Sequence, residues 1–90
     1  MYKIDYRSSA KRDLKKFDRN VKEFLKKEIE SLQEGFDGKD IEPLKGKNFE
    51  GLYRFRTGDY RIIFDKFDDV LIISIVKVAH RREVYKKLKH

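Results

Sequence analysis

Arg54, Arg56 and Arg61 lie in the stretch LYRFRTGDYRIIF, residues 52–64, and carry the clearest chemistry in the chain. Residues 52–56 and 60–64 are rich in aromatic and β-branched side chains, and the Gly58-Asp59 pair between them is the sequence of a tight two-residue hairpin turn of the primed type. With that pair as the loop, Thr57 faces Tyr60, Arg56 faces Arg61, Phe55 faces Ile62 and Arg54 faces Ile63. Side chains alternate between faces along a strand, so Phe55 and Ile62 share one face while the three arginines gather on the other. Like charges placed directly across two strands repel. A planar guanidinium binds phosphate oxygens in pairs, so this platform suits an anion, and a phosphate best. The competing reading is an ordinary solvated face in a chain rich in Lys and Arg; a one-residue shift of the turn would also carry every side chain to the opposite face.

The whole composition points the same way. The chain has 90 residues, a formal net charge of +7 and 43% charged residues. Such a balance favours polyanionic partners: nucleic acid first, an acidic protein second, an anionic membrane surface third. Cysteine is absent and the only histidines are His80 and His90, which excludes disulfides and thiolate zinc sites and leaves no basis for a histidine metal site; neither metal nor cofactor is expected. A reducing cytoplasm is the natural compartment. The first residues, MYKIDYRSSAKRD, contain no apolar signal-peptide core, and nowhere do ~18 apolar residues run together, so a soluble intracellular protein with no membrane span is expected. Length allows one domain, spanning 1–90.

Several elements must position the arginines. Tyr2, Ile4 and Tyr6 alternate with charged residues and read as a first strand. Ser8 and Ser9 are available to cap a helix carrying Ala10, Leu14 and Phe17. After a break at residues 18–20, Asn20 with Glu23 has the form of a capping box for a second helix, whose stripe Val21, Phe24, Leu25, Ile29 and Leu32 ends near Gly35. Lysines 11, 15, 16, 22, 26 and 27 read as solvated helix faces able to meet nucleic-acid phosphates, and Glu28, Glu30 and Glu34 as their neighbours' partners rather than catalytic acids. Residues 35–51 carry loop signals, with Ile41, Leu44 and Phe49 tucking into the core. Residues 70–79, VLIISIVKVA, suit a central strand, with the Lys77 ammonium expected beyond the sheet edge. The chain then runs through His80-Arg81-Arg82-Glu83-Val84-Tyr85 into a basic tail, KKLKH, read as a short helix or tail. The expectation is an α+β domain, β-α-α-β-β-β, with an N-terminal helical hairpin on one face of a mainly antiparallel sheet and the other face left to the arginines.

With LKG at residues 44–46, the hairpin at 52–64 and VAHRREVY at 78–85, the whole chain resembles the RelE toxins of the RelE/ParE superfamily. That resemblance implies a toxin of a type II toxin-antitoxin pair that enters the ribosomal A site, cuts mRNA there and is neutralised by a RelB-like antitoxin. Arg61 stands where these toxins have the arginine near the scissile phosphate, Arg81 matches a second arginine after the last strand, and Tyr85 matches the C-terminal tyrosine that stacks on or positions the cleaved nucleotide. Arg54 and Arg56 occupy positions where the best-known bacterial members have lysines. A lysine can shift its pKa enough to exchange protons, whereas an arginine stays charged; these two can stabilise charge but are poor general bases. Arg82, Lys45, Lys47, Lys86 and Lys87 complete the expected RNA contacts.

Metal-free RNA cleavage proceeds by attack of the 2′-hydroxyl on the adjacent phosphorus, with a base, an acid and cations to hold the dianionic phosphorane. His80 has a suitable ordinary pKa of about 6.5 and reads either as a proton carrier or as the end of a strand. Tyr85 reads as a stacking residue or as an anchor for the tail. Two further functions compete with the nuclease: a ParE-like inhibitor of DNA gyrase, which needs no catalytic constellation, and a basic nucleic-acid-binding module that never cleaves.

Overall fold

A computed structural model of the chain describes residues 1–84; the expected contributions of Tyr85, Lys86 and Lys87, and the tail helix, lie outside the described residues. The elements in chain order are β1 (Lys3–Tyr6), α1 (Ser8–Lys15), α2 (Arg19–Ser31), β2 (Asp40–Pro43), β3 (Leu52–Thr57), β4 (Tyr60–Phe67) and β5 (Ile72–His80), with 3₁₀ turns at Leu32–Glu34 and Lys47–Phe49. The sheet order is β1-β5-β4-β3-β2. Among the described residues, only the β1–β5 pair is parallel. The expected α+β architecture is therefore present, with one strand more than anticipated.

That strand is β2, in a stretch with loop signals. Its sequence, DIEP, has little intrinsic strand preference, and pairing with β3 in the register Asp40↔Arg56, Ile41↔Phe55, Glu42↔Arg54 overrides the local preference. Pro43 is compatible because β2 is an edge strand.

The helices form where apolar spacing demands. Ala10 and Leu14 of α1, and Leu25 and Ile29 of α2 followed by Leu32, are buried against Phe55, Ile62, Phe64, Ile73, Ile75 and Val78 of the sheet. The caps differ from expectation. Asp18 holds the extended N-cap position of α2 and accepts a hydrogen bond from the Val21 N–H at 2.9 Å, while Glu23 turns to Arg19 instead of closing a box with Asn20. At α1 the N-cap position falls on Arg7 with no side-chain bond, and Ser9 donates to the Val76 carbonyl at 2.5 Å. Opposite the helices, the arginines share their face with a second apolar cluster: Leu52, Ile63, Ala79 and Val84, packed against Leu44, Phe49 and Val76.

Lys77 does not reach past a sheet edge, because beyond the β1 pairing at residues 72–75 that side of β5 is covered by α1. The register jumps from Ile63↔Lys77 to Phe64↔Ile75, which leaves Val76 unpaired with β4 in a bulge. There α1 takes over from β1. Beyond the Ser9–Val76 bond, Asp13 Oδ2 accepts from the Val78 N–H at 2.9 Å and lies 4.0 Å from Lys77 Nζ, both side chains being largely buried.

Near β1, the Tyr2 hydroxyl donates to Asp68 at 2.5 Å and Lys66 Nζ lies 3.3 Å from the same oxygen. The bond from Tyr2, then that from Lys66, holds the Asp68 carboxyl below its ordinary range, and the bond to Asp68 pushes the Tyr2 hydroxyl up.

Two outcomes follow from these contacts. Asp13→Ala should lower stability in a urea melt by about 1–3 kcal/mol, because it strands the Val78 N–H and the Lys77 ammonium; Asp13→Ala with Lys77→Met should cost less than the sum of the two single changes. Because the folded pKa of Asp68 is depressed, its contribution is present above the unfolded value of about 3.9 and is lost as pH falls through the folded value. Asp68→Asn should flatten that acid limb in melts recorded against pH.

Candidate nucleic-acid interface

Gly58 has φ +57°, while Asp59 is not among the residues with positive φ, the pattern of a type II′ turn. A Cβ at Gly58 would meet only the Phe24 ring, at 3.8 Å, so the need for glycine is one of backbone conformation. The register is the one the sequence predicts: Thr57↔Tyr60, Arg56↔Arg61, Phe55↔Ile62, Arg54↔Ile63. Arg54, Arg56 and Arg61 consequently lie together on the face away from the helices.

Each guanidinium is held differently. Arg61 Nη1 donates to the carbonyls of Gly58 and Tyr60, at 3.1 and 2.8 Å, and so lies along the turn. Arg54 donates to Glu42 at 2.8 Å, and Arg56 lies 3.8 Å from Asp40. Arg81 joins them from the end of β5: its backbone N–H donates to the Asp59 carbonyl at 2.7 Å, and its Nε is 3.8 Å from the Asp59 carboxylate. Three consecutive turn residues, 58–60, thereby anchor both Arg61 and Arg81.

The other expected residues are distributed less evenly. Lys45 and Lys47 are exposed, on the segment whose Leu44 and Phe49 pack against the arginine-side cluster. Arg82 is exposed, and its backbone N–H donates to His80 Nδ1 at 3.2 Å. His80 is not brought to the platform. It pairs with Tyr60, whose side chain packs on the helix side against Phe17 and Phe24, and the His80 ring meets Tyr60 edge-on at 5.7 Å. There it lines a cleft of about 240 Å³ with Asp13, Lys16, Phe17 and Lys77. Through the Arg82 N–H and the Glu83 N–H, which donates to its carbonyl at 2.8 Å, His80 shapes the turn bearing Arg81. Val84, the last described residue, is buried on the arginine side.

Sequence reasoning missed Asp40 and Glu42. The available signal was the alternation of two acids around Ile41. Among the described residues no group of His, Cys, Asp or Glu is placed to hold a metal ion, and no helix is long and apolar enough to cross a membrane.

Residues 4–85 match the family model of the ParE toxin of type II toxin-antitoxin systems, parDE. The chain belongs to this family, and thus to the RelE/ParE superfamily of type II toxins. No curated protein matches it in sequence. Among solved structures it is similar to the Mycobacterium tuberculosis toxin-antitoxin complex RelBE2, with TM-score 0.78 and 24% identity over 89% of this chain and 98% of that one. It is also similar to the RelB–RelE antitoxin–toxin complex of Methanococcus jannaschii, with TM-score 0.65 and 26% identity over 94% and 99%. The isolated Escherichia coli RelE toxin gives TM-score 0.69 and 22% identity over 97% and 94%.

Gly58→Ala should destabilise the protein by about 1–2 kcal/mol, the cost of a left-handed conformation for an L-residue, as read by denaturant unfolding.

Proposed function

We propose that this toxin is a ribosome-dependent endoribonuclease that cleaves mRNA in the A site, inhibits translation in the cytoplasm and is neutralised by a RelB-like antitoxin. The observation that carries this reading is the hairpin register, which sets Arg56 across from Arg61, with Arg54 two residues along on the same helix-free face. In the proposed reaction the 2′-hydroxyl attacks the neighbouring phosphorus, the bond to the 5′ oxygen breaks, and the products are a 2′,3′-cyclic phosphate and a 5′-hydroxyl. The extra charge on the phosphorane develops where guanidinium N–H groups are already in place, so the chain's own cations do the work a metal ion does elsewhere. Arg61 and Arg81, anchored on one turn, hold the reacting phosphate; Arg54 and Arg56 hold its neighbours. Tyr85 follows buried Val84 and is assigned the stacking of the cleaved nucleotide. Lys45, Lys47, Arg82, Lys86 and Lys87 add sequence-independent attraction to RNA.

An antitoxin for this surface combines acidic residues with apolar anchors and orders on binding. The RelB-bound relatives and the charge of +7 support such a partner.

A second reading, inhibition of DNA gyrase, draws support from the family model, which describes ParE toxins. Primer extension on an mRNA translated in a reconstituted extract separates the two. Wild-type protein should give cuts within A-site codons that disappear without ribosomes, and Arg61→Ala and Tyr85→Ala should weaken them by a factor of about 10² or more, as expected for lost transition-state contacts. Intact mRNA in every lane, together with loss of supercoiling activity in a gyrase assay, would establish the second reading instead.

A further inference from the structure

β2 is an edge strand with carboxylates at alternate positions, Asp40 and Glu42, and each stands opposite an arginine of the platform. Glu42 Oε2 accepts from Arg54 Nη2 at 2.8 Å; Asp40 Oδ2 lies 3.8 Å from Arg56 Nη1. Between them Ile41 is packed into the helix-side core, so β2 is pinned and its acids are fixed toward the arginines. The acids are themselves open to solvent, Glu42 64% and Asp40 52% exposed; Arg54 is only 14% exposed, while Arg56 is itself 46% exposed. An exposed partner is given up readily; a guanidinium packed against the sheet keeps its direction.

We propose that Asp40 and Glu42 are internal counter-ions of the arginine platform, which RNA displaces by placing two consecutive phosphodiesters on Arg56 and Arg54. This rests on the RNA-binding reading above and extends it to a positioning role for two acids and to the unit that is recognised. A phosphate that takes the Arg54 Nη2 N–H competes with Glu42, which accepts it at 2.8 Å, and one drawn to Arg56 must approach the charge of Asp40, 3.8 Å away, so each acid opposes the phosphate on its arginine until it is displaced. Two residues along a strand span about 6.7 Å, close to the separation of neighbouring phosphates in an extended RNA strand. An isolated phosphate displaces one acid and leaves the other in place, while a dinucleotide step displaces both. The gate thus orients the arginines when RNA is absent and raises the threshold for weak, scattered contacts.

The test is equilibrium binding of a short 2′-O-methylated RNA, which cannot be cleaved, across a range of salt concentrations. Glu42→Gln and Asp40→Asn should each tighten binding several-fold at low salt, and the double variant about tenfold, with affinities converging at high salt. The double variant should also steepen the dependence of log affinity on log salt by about 1.4, since each phosphate no longer exchanged for a carboxylate contributes roughly 0.7. Glu34→Gln, the same charge change as either single variant at an exposed position on another element, controls for net charge at every salt concentration. Amide variants that bind like this control overturn the gate, including the case in which only their melting temperature falls. Arg54→Ala and Arg56→Ala separate the two levels. If these lose RNA binding while the amide variants match the control, the platform stands and the gate falls. If they bind RNA as tightly as wild type, the platform reading falls and the gate with it.

Discussion

The backbone of β5 has to be satisfied on both sides, and only half of one side is covered by a strand. β4 runs along its full length, but β1 pairs only with residues 72–75. The remainder is completed by α1: Arg7 N–H to the Ile75 carbonyl, Ser9 to the Val76 carbonyl, Asp13 to the Val78 N–H. A buried amide left without a partner costs as much as several good contacts provide, so the position of α1 is dictated by β5 as much as by Ala10 and Leu14. The end of β5 is thereby fixed, and with it the Arg81 turn that docks on Asp59.

The platform shows how concentrated charge is tolerated. Arg56 and Arg61 are direct cross-strand neighbours, an arrangement that repels. The protein disperses the repulsion in three directions: Arg61 bends along the turn carbonyls, Arg56 leans to Asp40, and Arg54 pairs with Glu42. The floor between them is the apolar cluster around Leu52 and Ile63, which lowers the local polarisability and strengthens the pull of each cation on an arriving anion. Such a face is held ready instead of being assembled on contact.

What was legible in the sequence is what local chemistry determines. Gly58-Asp59 between two β-rich runs specified the turn and, through it, the full β3–β4 register and the shared face of the arginines. The helices followed from Leu14, Leu25 and Ile29 at helical spacing. Features set by distant partners were hidden. β2 exists because β3 offers it a ladder; Lys77 is directed by Asp13, far away in sequence; the α2 cap fell to Asp18 because the helix begins two residues earlier than a box at Asn20 implies. His80 reads, from its place after the last strand and its ordinary pKa, as either a proton carrier or a strand end. Strand parity, counted from Tyr60 once the β4–β5 pairing is known, puts it on the other side of the sheet.

The parallel pairing of β1 with β5 joins the first strand made to the last, as in Lys3 with Ile72. Contacts this distant in sequence are slow to form and must wait for the intervening chain. During synthesis the helical hairpin and the β3–β4 ribbon can associate early, but the central strand that unites them emerges only afterwards, and the Arg81 turn later still. A chain still attached to its own ribosome therefore lacks the finished platform until translation has passed that last strand. Topology thus delays assembly of the platform relative to synthesis of the chain.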